Sequence, residues 1–360
     1  MISFLFAYRN RDSKRVLLSL KSLALQEHEN FEVVFVDYGS DDDKASAVKK
    51  LVESFAFSSY YYIAHPGLLW NKSKALNYAA SKAKGDYVFV ADVDICFNNK
   101  VVKMLQDYRQ PGTYSLFKLS YLKEQAEPLK LKEINALDKD IKHHGSVNGM
   151  VLVRKDNFFK IEGYDEFYHF YGSEDVDFYL RLRHLGLKEQ KNSDTLFYHQ
   201  WHAIYNTIND SVFEQKPRLF NIKKINQQHF INHQESKAIQ PSLIQKVNQQ
   251  VWEKEDEPTE QMVTKKMRLT NDHAKVWHTL KISLPNFENG IVEIRIEEEA
   301  YFKSAKYKLK KRLRKSDRVP MTMKAVNDMI LEEILLNYRH HNYSYKISED
   351  LKVIVFILAK

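Results

Sequence analysis

The first 200 residues alternate short apolar runs with amphipathic stretches, and no other feature restricts the fold as tightly. Ile2 to Tyr8 reads as a strand. From Asp12 onward, Val16, Leu17, Leu20, Leu23 and Ala24 recur at helical spacing. Phe31 to Val36 is a second strand ending at Asp37, and the polar turn Gly39-Ser40-Asp41-Asp42-Asp43 caps the next helix. Tyr60 to Ile63 is a third strand, Lys72 to Lys84 a helix closed by Gly85, and Tyr87 to Ala91 a fourth strand. Strands separated by helices predict a parallel, right-handed, doubly wound α/β core. Val147 to Arg154 predicts a further strand, with Asp156 capping a short helix. Glu174 to Leu185 is helical in pattern, and Leu187 to Tyr198 leads into His199-Gln200-Trp201-His202.

Directly behind the fourth strand stands Asp92-Val93-Asp94. Open α/β sheets bind ligands at the carboxyl ends of their strands, and two close carboxylates there repel one another. A divalent cation with oxygen ligands, bridging a diphosphate, relieves that repulsion. Other D-x-D pairs occur at Asp41/Asp43, Asp138/Asp140 and Asp175/Asp177, but only the pair at 92 and 94 follows a strand-forming run. The position therefore predicts an enzyme that handles a nucleotide diphosphate.

At 360 residues the chain is long enough for about two domains. Its net charge of +8 favours polyanionic partners, whether nucleotide phosphates, nucleic acid or an anionic membrane face. The single cysteine, Cys96, excludes an intrachain disulfide, fits a reducing compartment, and reads as a small buried residue. No segment approaches the about 18 apolar residues of a membrane span, and the opening apolar stretch is too short for a signal peptide. The expected location is the cytoplasm, or the cytoplasmic face of a membrane.

Four segments keep company in an informative order: Ala7-Tyr8-Arg9-Asn10-Arg11, Trp70-Asn71-Lys72-Ser73-Lys74-Ala75-Leu76-Asn77, Asp92-Val93-Asp94, and Tyr171-Gly172-Ser173-Glu174-Asp175-Val176-Asp177. Together they resemble the GT-A glycosyltransferases of family 2, near the β-1,4-galactosyltransferase and chondroitin-polymerase type. The resemblance spans about residues 1 to 205. It implies the GT-A fold, with a Rossmann-like, mostly parallel central sheet and flanking helices, and a metal-dependent, inverting transfer of a hexose or N-acetylhexosamine from a UDP-sugar. UDP-Gal or UDP-GalNAc is the leading donor, with UDP-GlcNAc and UDP-Glc open, and the acceptor is a hydroxyl of a glycan or lipid-linked glycan, as in bacterial surface polysaccharide.

Residue roles follow from that resemblance. Arg9 and Arg11 offer planar charge to a diphosphate or base edge, and Tyr8 a ring to stack on uracil. Asp37 holds the nucleoside. Asn71, Lys72 and Lys74 sit beside the nucleotide at a helix start, where the dipole favours anions. Asp92 and Val93 lie against the nucleotide-sugar, with Asp92 reaching ribose or the metal's water shell. Asp94 ligates the metal, His202 is the second protein ligand, and His199, three residues earlier, is a further candidate. Imidazole with carboxylate and diphosphate oxygens suits Mn²⁺, with Mg²⁺ the alternative. Asp175 is the catalytic base, held ionised near a helix N-terminus, and Glu174 binds acceptor hydroxyls. Tyr171 and Gly172 stand where relatives have Trp-Gly, and the aromatic loop from Tyr164 to Tyr171 contacts acceptor sugars. Asn148 and Gly149 lie where the family binds the donor sugar. His143-His144 reads as solvent-exposed loop polarity.

Three parts are expected: a GT-A domain at 1–205, a Gln- and Asn-rich helical connector at 206–265, and a C-terminal α+β module at 266–360. In the last, Val276 to Leu284 and Gly290 to Ile296 alternate like paired strands, Lys303 to Arg318 is basic and helical, Val326 to Tyr338 is a second helix, and Leu351 to Leu358 is a closing strand. The basic stretch reads as a solvated face or an anionic-lipid contact. Without a stacking or base-reading motif, nucleic acid is not expected as a partner. The module is open to dimerisation, membrane docking or acceptor selection. Two rival readings are a nucleotidyltransferase, which would want a Gly-rich triphosphate loop that the chain lacks, and a non-catalytic scaffold derived from a transferase.

Overall fold

The computed structural model describes residues 1–124, 126, 137–145, 149–202, 218–241 and 251–360. They form two compact units, the first comprising Met1–Ala64, Trp70–Ile204 and Lys223–Val251, the second His65–Leu69, Tyr205–Ile222 and Trp252–Lys360. Unit borders thus cross the sequence more than once.

The first unit contains β1 (Ile2–Tyr8), α1 (Ser13–Leu23), β2 (Phe31–Tyr38), α2 (Asp42–Glu53), β3 (Ser58–Ile63), α3 (Lys72–Lys82), β4 (Tyr87–Val90), β5 (Ile95–Phe97) and α4 (Val101–Asp107). It continues with β6 (Thr113–Phe117), β7 (Leu119–Leu122), β8 (Ile141–Gly145), β9 (Val151–Arg154), α5 (Lys155–Lys160), α6 (Glu174–His184), β10 (Lys188–Asn192), β11 (Phe197–His199) and α7 (Ile222–Ser236). A seven-stranded sheet runs in the order β10-β6-β9-β4-β1-β2-β3. Every residue of β2 is buried, as a central strand covered on both faces requires. Helix α1 starts at Asp12, whose side chain accepts from the Lys14 amide, and it buries Val16, Leu20 and Leu23 along one face.

The sheet is not wholly parallel. β1 pairs in parallel with β2 and β4, and β2 with β3, but β9 runs antiparallel to both β4 and β6. A parallel neighbour needs a helix-length crossover, whereas β9 is entered from the strand β8. Gly85 is also not the left-handed helix cap expected of it, since α3 ends at Lys82 with Ala83 as cap. Its role is close approach: a Cβ there would lie 2.8 Å from the Met1 carbonyl and 2.8 Å from Ser3 Oγ.

A second sheet, β5-β11-β7-β8, positions the site. β11 pairs antiparallel with β5, placing His199 opposite Ile95, and parallel with β7, placing His199 beside Tyr121. Beneath it Phe89 packs on Phe4, Phe117 and Phe197 with ring centroids 5.1, 5.5 and 5.6 Å apart. These aromatic contacts make the strand ends around residues 91–97 a rigid platform.

The second unit holds β12 (Lys265–Thr270), α8 (His273–His278), β13 (Ile291–Glu297), α9 (Ala305–Arg312), α10 (Met323–Glu333), β14 (Tyr343–Ile347) and β15 (Val353–Ala359). Its sheet order is β12-β13-β15-β14. The expected strand at Val276 to Leu284 is helical, α8 being continued by a π-turn over Thr279–Ser283. Val276, Leu280 and Leu284 are fully buried at a spacing of four, while Ile282, which the alternating reading also needs, is 41% exposed. The strand that pairs with β13 is instead β12. α9 stops at Arg312, short of the expected end, and Arg318 bridges Asp272 and Glu299. Among the described residues no helix is long and apolar enough to cross a membrane.

Candidate active site

At the end of β4 the chain turns through Asp92, Val93 and Asp94 into β5. Val93 is buried in the core, so the two carboxylates leave the turn on either side of an anchored residue. The pairing of β11 with β5 carries on past His199, because the Gln200 amide donates to the Asp94 carbonyl at 3.0 Å. Gln200 is itself held by a side-chain bond to the Arg15 carbonyl. The result brings His199 Nε2 within 3.6 Å of Asp94 Oδ1 and His202 Nε2 within 3.5 Å of Asp94 Oδ2.

These separations are long for hydrogen bonds and suit donor atoms arranged around one ion. Asp94 is 7% exposed, and its Oδ1 is buried without a hydrogen-bond partner. The three donor atoms lie within 4.8 Å of one another. Two imidazoles and a carboxylate fit a borderline divalent cation with positions left for further ligands. Tyr121 braces the group: its ring lies 5.0 Å from that of His199 and 4.6 Å from that of His143. His143 and His144 are exposed but belong to β8 rather than to a loop, and His144 Nδ1 bonds Ser120 Oγ at 3.0 Å.

Lys72 links the neighbouring motifs. Its Nζ donates to Asp92 Oδ1 at 2.6 Å and lies 3.9 Å from Glu174 Oε1. Burial pushes the Asp92 carboxyl upward, but Lys72 outweighs it and holds the group below its ordinary range. Glu174 goes the other way: burial raises its pKa, Lys72 opposes, and Asp175 adds to the rise. Burial alone would lower the Lys72 pKa, yet Asp92 and Glu174 together raise it. A Cβ on Gly149 would sit 3.7 Å from Lys72 Nζ, so this glycine lies beside the same cation. Asn148 is outside the described residues.

The acids of α6 divide their labour. Glu174, Asp175 and Asp177 occupy its first turn, where the helix dipole favours negative charge. Asp177 points inward to a fully buried Arg181, which also donates to the Ile161 and Gly163 carbonyls. Asp175 is partly exposed and its Oδ1 accepts from the Val176 amide. Glu174 Oε2 accepts from the Gly172 amide. The approach to this turn is strained: Phe170 and Ser173 have φ of 63° and 71°, a region costly for side chains, while Gly172 between them takes 104° freely because it has none. Tyr171 is 57% exposed, with Lys223 Nζ 5.9 Å from its ring centre. Asn226 of α7 holds the loop by donating to the His169 and Tyr171 carbonyls.

Other expected residues take different places. Tyr8 is 1% exposed, packs on Phe35 and donates its hydroxyl to the Arg11 carbonyl, so its ring has no open face for a base. Asp37 is fully buried, accepting from the Ser40 amide and the Tyr60 hydroxyl; burial raises its pKa, with Arg9 among the opposing influences. Arg11 is exposed and acts electrostatically on Asp92. Asn71 is the N-cap of α3, accepting from the Lys74 amide and donating to the Glu166 carbonyl. Burial pushes the Cys96 thiol up to about 12, consistent with a structural residue. Tyr121 and Asn226 were not foreseen, because each acts on residues distant in sequence and neither belongs to a recognisable spacing.

Residues 3–161 match the family model for glycosyl transferase family 2, and residues 131–203 match the model for the N-terminal domain of galactosyltransferase. A search of curated proteins finds no match. Among solved structures, the chain is similar to the mannosyltransferase PcManGT from Pyrobaculum calidifontis in complex with GDP-Man and Mn²⁺, with 16% identity, 66% of this chain and 64% of that chain covered, and a TM-score of 0.43. It is also similar to S. aureus TarS 1-349 in complex with UDP, with 19% identity, 56% and 60% coverage, and a TM-score of 0.43. In both cases the chain spans less than two thirds of the other chain. The two matches overlap and together run from residue 3 to residue 203, so this stretch is similar to the glycosyl transferase family 2 domain over 3–161 and to the N-terminal domain of galactosyltransferase over 131–203.

Proposed function

We propose that the protein is a metal-dependent, inverting glycosyltransferase that moves a hexose or N-acetylhexosamine, galactose or N-acetylgalactosamine first among them, from its UDP-sugar to a glycan or lipid-linked glycan hydroxyl. The observation that carries this reading is the convergence of Asp94, His199 and His202, beside a cluster in which Lys72 joins Asp92 to Glu174. Mn²⁺ or Mg²⁺ held by Asp94, His202 and His199 would neutralise the diphosphate. Asp175 takes the proton from the acceptor hydroxyl as its oxygen bonds to the anomeric carbon; the bond from that carbon to the diphosphate breaks, and the electron pair leaves with UDP. Lys72 and Arg11 supply positive charge near the departing group. Glu174 binds acceptor hydroxyls, and the exposed Tyr171 ring lies against a sugar face. Gly149 lies at the donor sugar. Asp37, with Arg9 near it, shapes the nucleoside end of the site through Ser40 and Tyr60 rather than by touching the nucleoside, and Asn71 and Lys74 shape the helix start beside it.

The biological setting proposed is surface-polysaccharide synthesis in the cytoplasm or at the inner membrane face, with the basic segment at 303–318 contacting anionic lipid. The test is UDP release from a panel of UDP-sugars with Mn²⁺ and with chelator, comparing wild type with Asp94→Ala and Asp175→Asn. Metal-dependent turnover of one sugar, lost in both variants, is expected. Wild-type protein that neither turns over nor binds UDP in the presence of metal would leave the scaffold reading in its place.

A further inference from the structure

A second set of metal-type donors lies apart from the Asp94 cluster, on the inner side of the aromatic loop. Asp165, His229 and His233 bring their donor atoms within 4.8 Å of one another. His229 and His233 are one turn apart on α7, so their rings share a face, with centroids 4.6 Å apart. Asp165 Oδ2 lies 2.9 Å from His229 Nε2 and 3.7 Å from His233 Nε2, while its Oδ1 accepts from the Phe167 amide. Oxygen and nitrogen donors sharing a tetrahedral ion stand about 3.3 Å apart, which these two distances bracket.

The surroundings carry the case further. His233 Nδ1 meets Asp177 Oδ1 at 2.5 Å, and Asp177 is fixed by the buried Arg181. A carboxylate behind one ring nitrogen directs the other nitrogen's lone pair outward, the arrangement that supports a metal-bound imidazole. That second nitrogen, Nε2, lies 3.7 Å from Asp165 Oδ2, a gap that one shared ion would span. The nearby Tyr168 hydroxyl, buried beside Asp165 and Asp177, lacks a hydrogen bond of normal geometry. We propose that Asp165, His229 and His233 form a Zn²⁺ site, its fourth position left to water, that ties the aromatic loop to α7. The site performs no chemistry on the sugar; it fixes the loop whose far end carries Tyr171, alongside the Asn226 bonds.

The test uses the full chain carrying Asp94→Ala and His202→Ala, which removes the other donor cluster. After chelation and dialysis this protein is titrated with Zn²⁺ by calorimetry and with Co²⁺ by visible absorption. One equivalent of Zn²⁺ and a tetrahedral Co²⁺ spectrum are expected. Adding His229→Gln should weaken Zn²⁺ binding by on the order of 100-fold and abolish the Co²⁺ spectrum. Zn²⁺ should also raise the melting temperature of the first protein and not of the second. A folded protein, by circular dichroism, that takes up no Zn²⁺ would overturn the site, leaving the three side chains as a cluster held by hydrogen bonds. Binding indifferent to His229→Gln would overturn it equally.

Discussion

Asn77 offers the sharpest test of how the helix α3 controls the loop that leads to Glu174 and Asp175. It is 1% exposed, its Nδ2 donates to the Tyr164 carbonyl at 2.9 Å and to Glu166 Oε1 at 3.1 Å, and its Oδ1 accepts from the Tyr164 amide at 2.8 Å. Asn77→Ala leaves all three partners in a buried site without replacement. Each stranded group costs about 1–3 kcal/mol, with the low end fitting groups that can relax. Ala is the better helix former by up to about 0.7 kcal/mol, which offsets a fraction. The net expectation is about 3 kcal/mol, concentrated where the loop is pinned. Hydrogen–deuterium exchange of the peptide covering 158–170 should therefore accelerate by roughly 100-fold, at about 1.4 kcal/mol per tenfold. Strands of the second unit should keep their wild-type exchange. An increase below about fivefold, less than 1 kcal/mol by the same conversion, would refute the claim that Asn77 holds the loop.

Three further outcomes are expected. His199→Ala and His202→Ala should each raise the Mn²⁺ concentration for half-maximal UDP release by more than about tenfold, and a variant with an unchanged value removes its residue from the donor set. Gly85→Ala should destabilise the first unit by about 2 kcal/mol in urea unfolding, because the new Cβ meets backbone and Ser3 rather than a movable chain end; an unchanged midpoint would show that the helix-to-strand turn yields freely. Glu299→Gln should cost about 1 kcal/mol at neutral pH, since the bond from Arg318 lowers the Glu299 pKa. That stability is present above the unfolded glutamate value near 4.3 and is lost as pH falls through the lower folded value, so the two proteins should converge in acid. A gap that persists there would contradict the ion pair.

Features with local causes could be read directly. Asp12 caps α1 because a short side-chain oxygen before an apolar-periodic stretch has few other uses. The strand before Asp92 was plain from its unbroken apolar run, and the position of a D-x-D pair behind such a strand separated it from three others of the same spelling. The helix carrying Glu174 and Asp175 was equally plain. Asp177, two residues on, stands four residues before Arg181, a spacing that allows an ion pair on one helix face, but only the fold shows that pair turned inward and buried.

The sequence by itself determined the alternation of strands and helices, the placement of carboxylates at strand and helix ends, and the order of motifs along a glycosyltransferase domain. Each depends on forces acting over a turn of helix or a few residues of strand. Only the tertiary structure decided the direction of β9, the helical state of 276–284, and the inward face of Tyr8. The apolar positions of 276–284 satisfy a period of two and a period of four alike, so the neighbouring strand β12 had to settle which is used. The joining of Asp94 to His199 and His202, and of Lys72 to Asp92 and Glu174, likewise came from strand register and helix docking. Such contacts are set by which surfaces bury one another, and that energy belongs to pairs of distant segments rather than to any one of them.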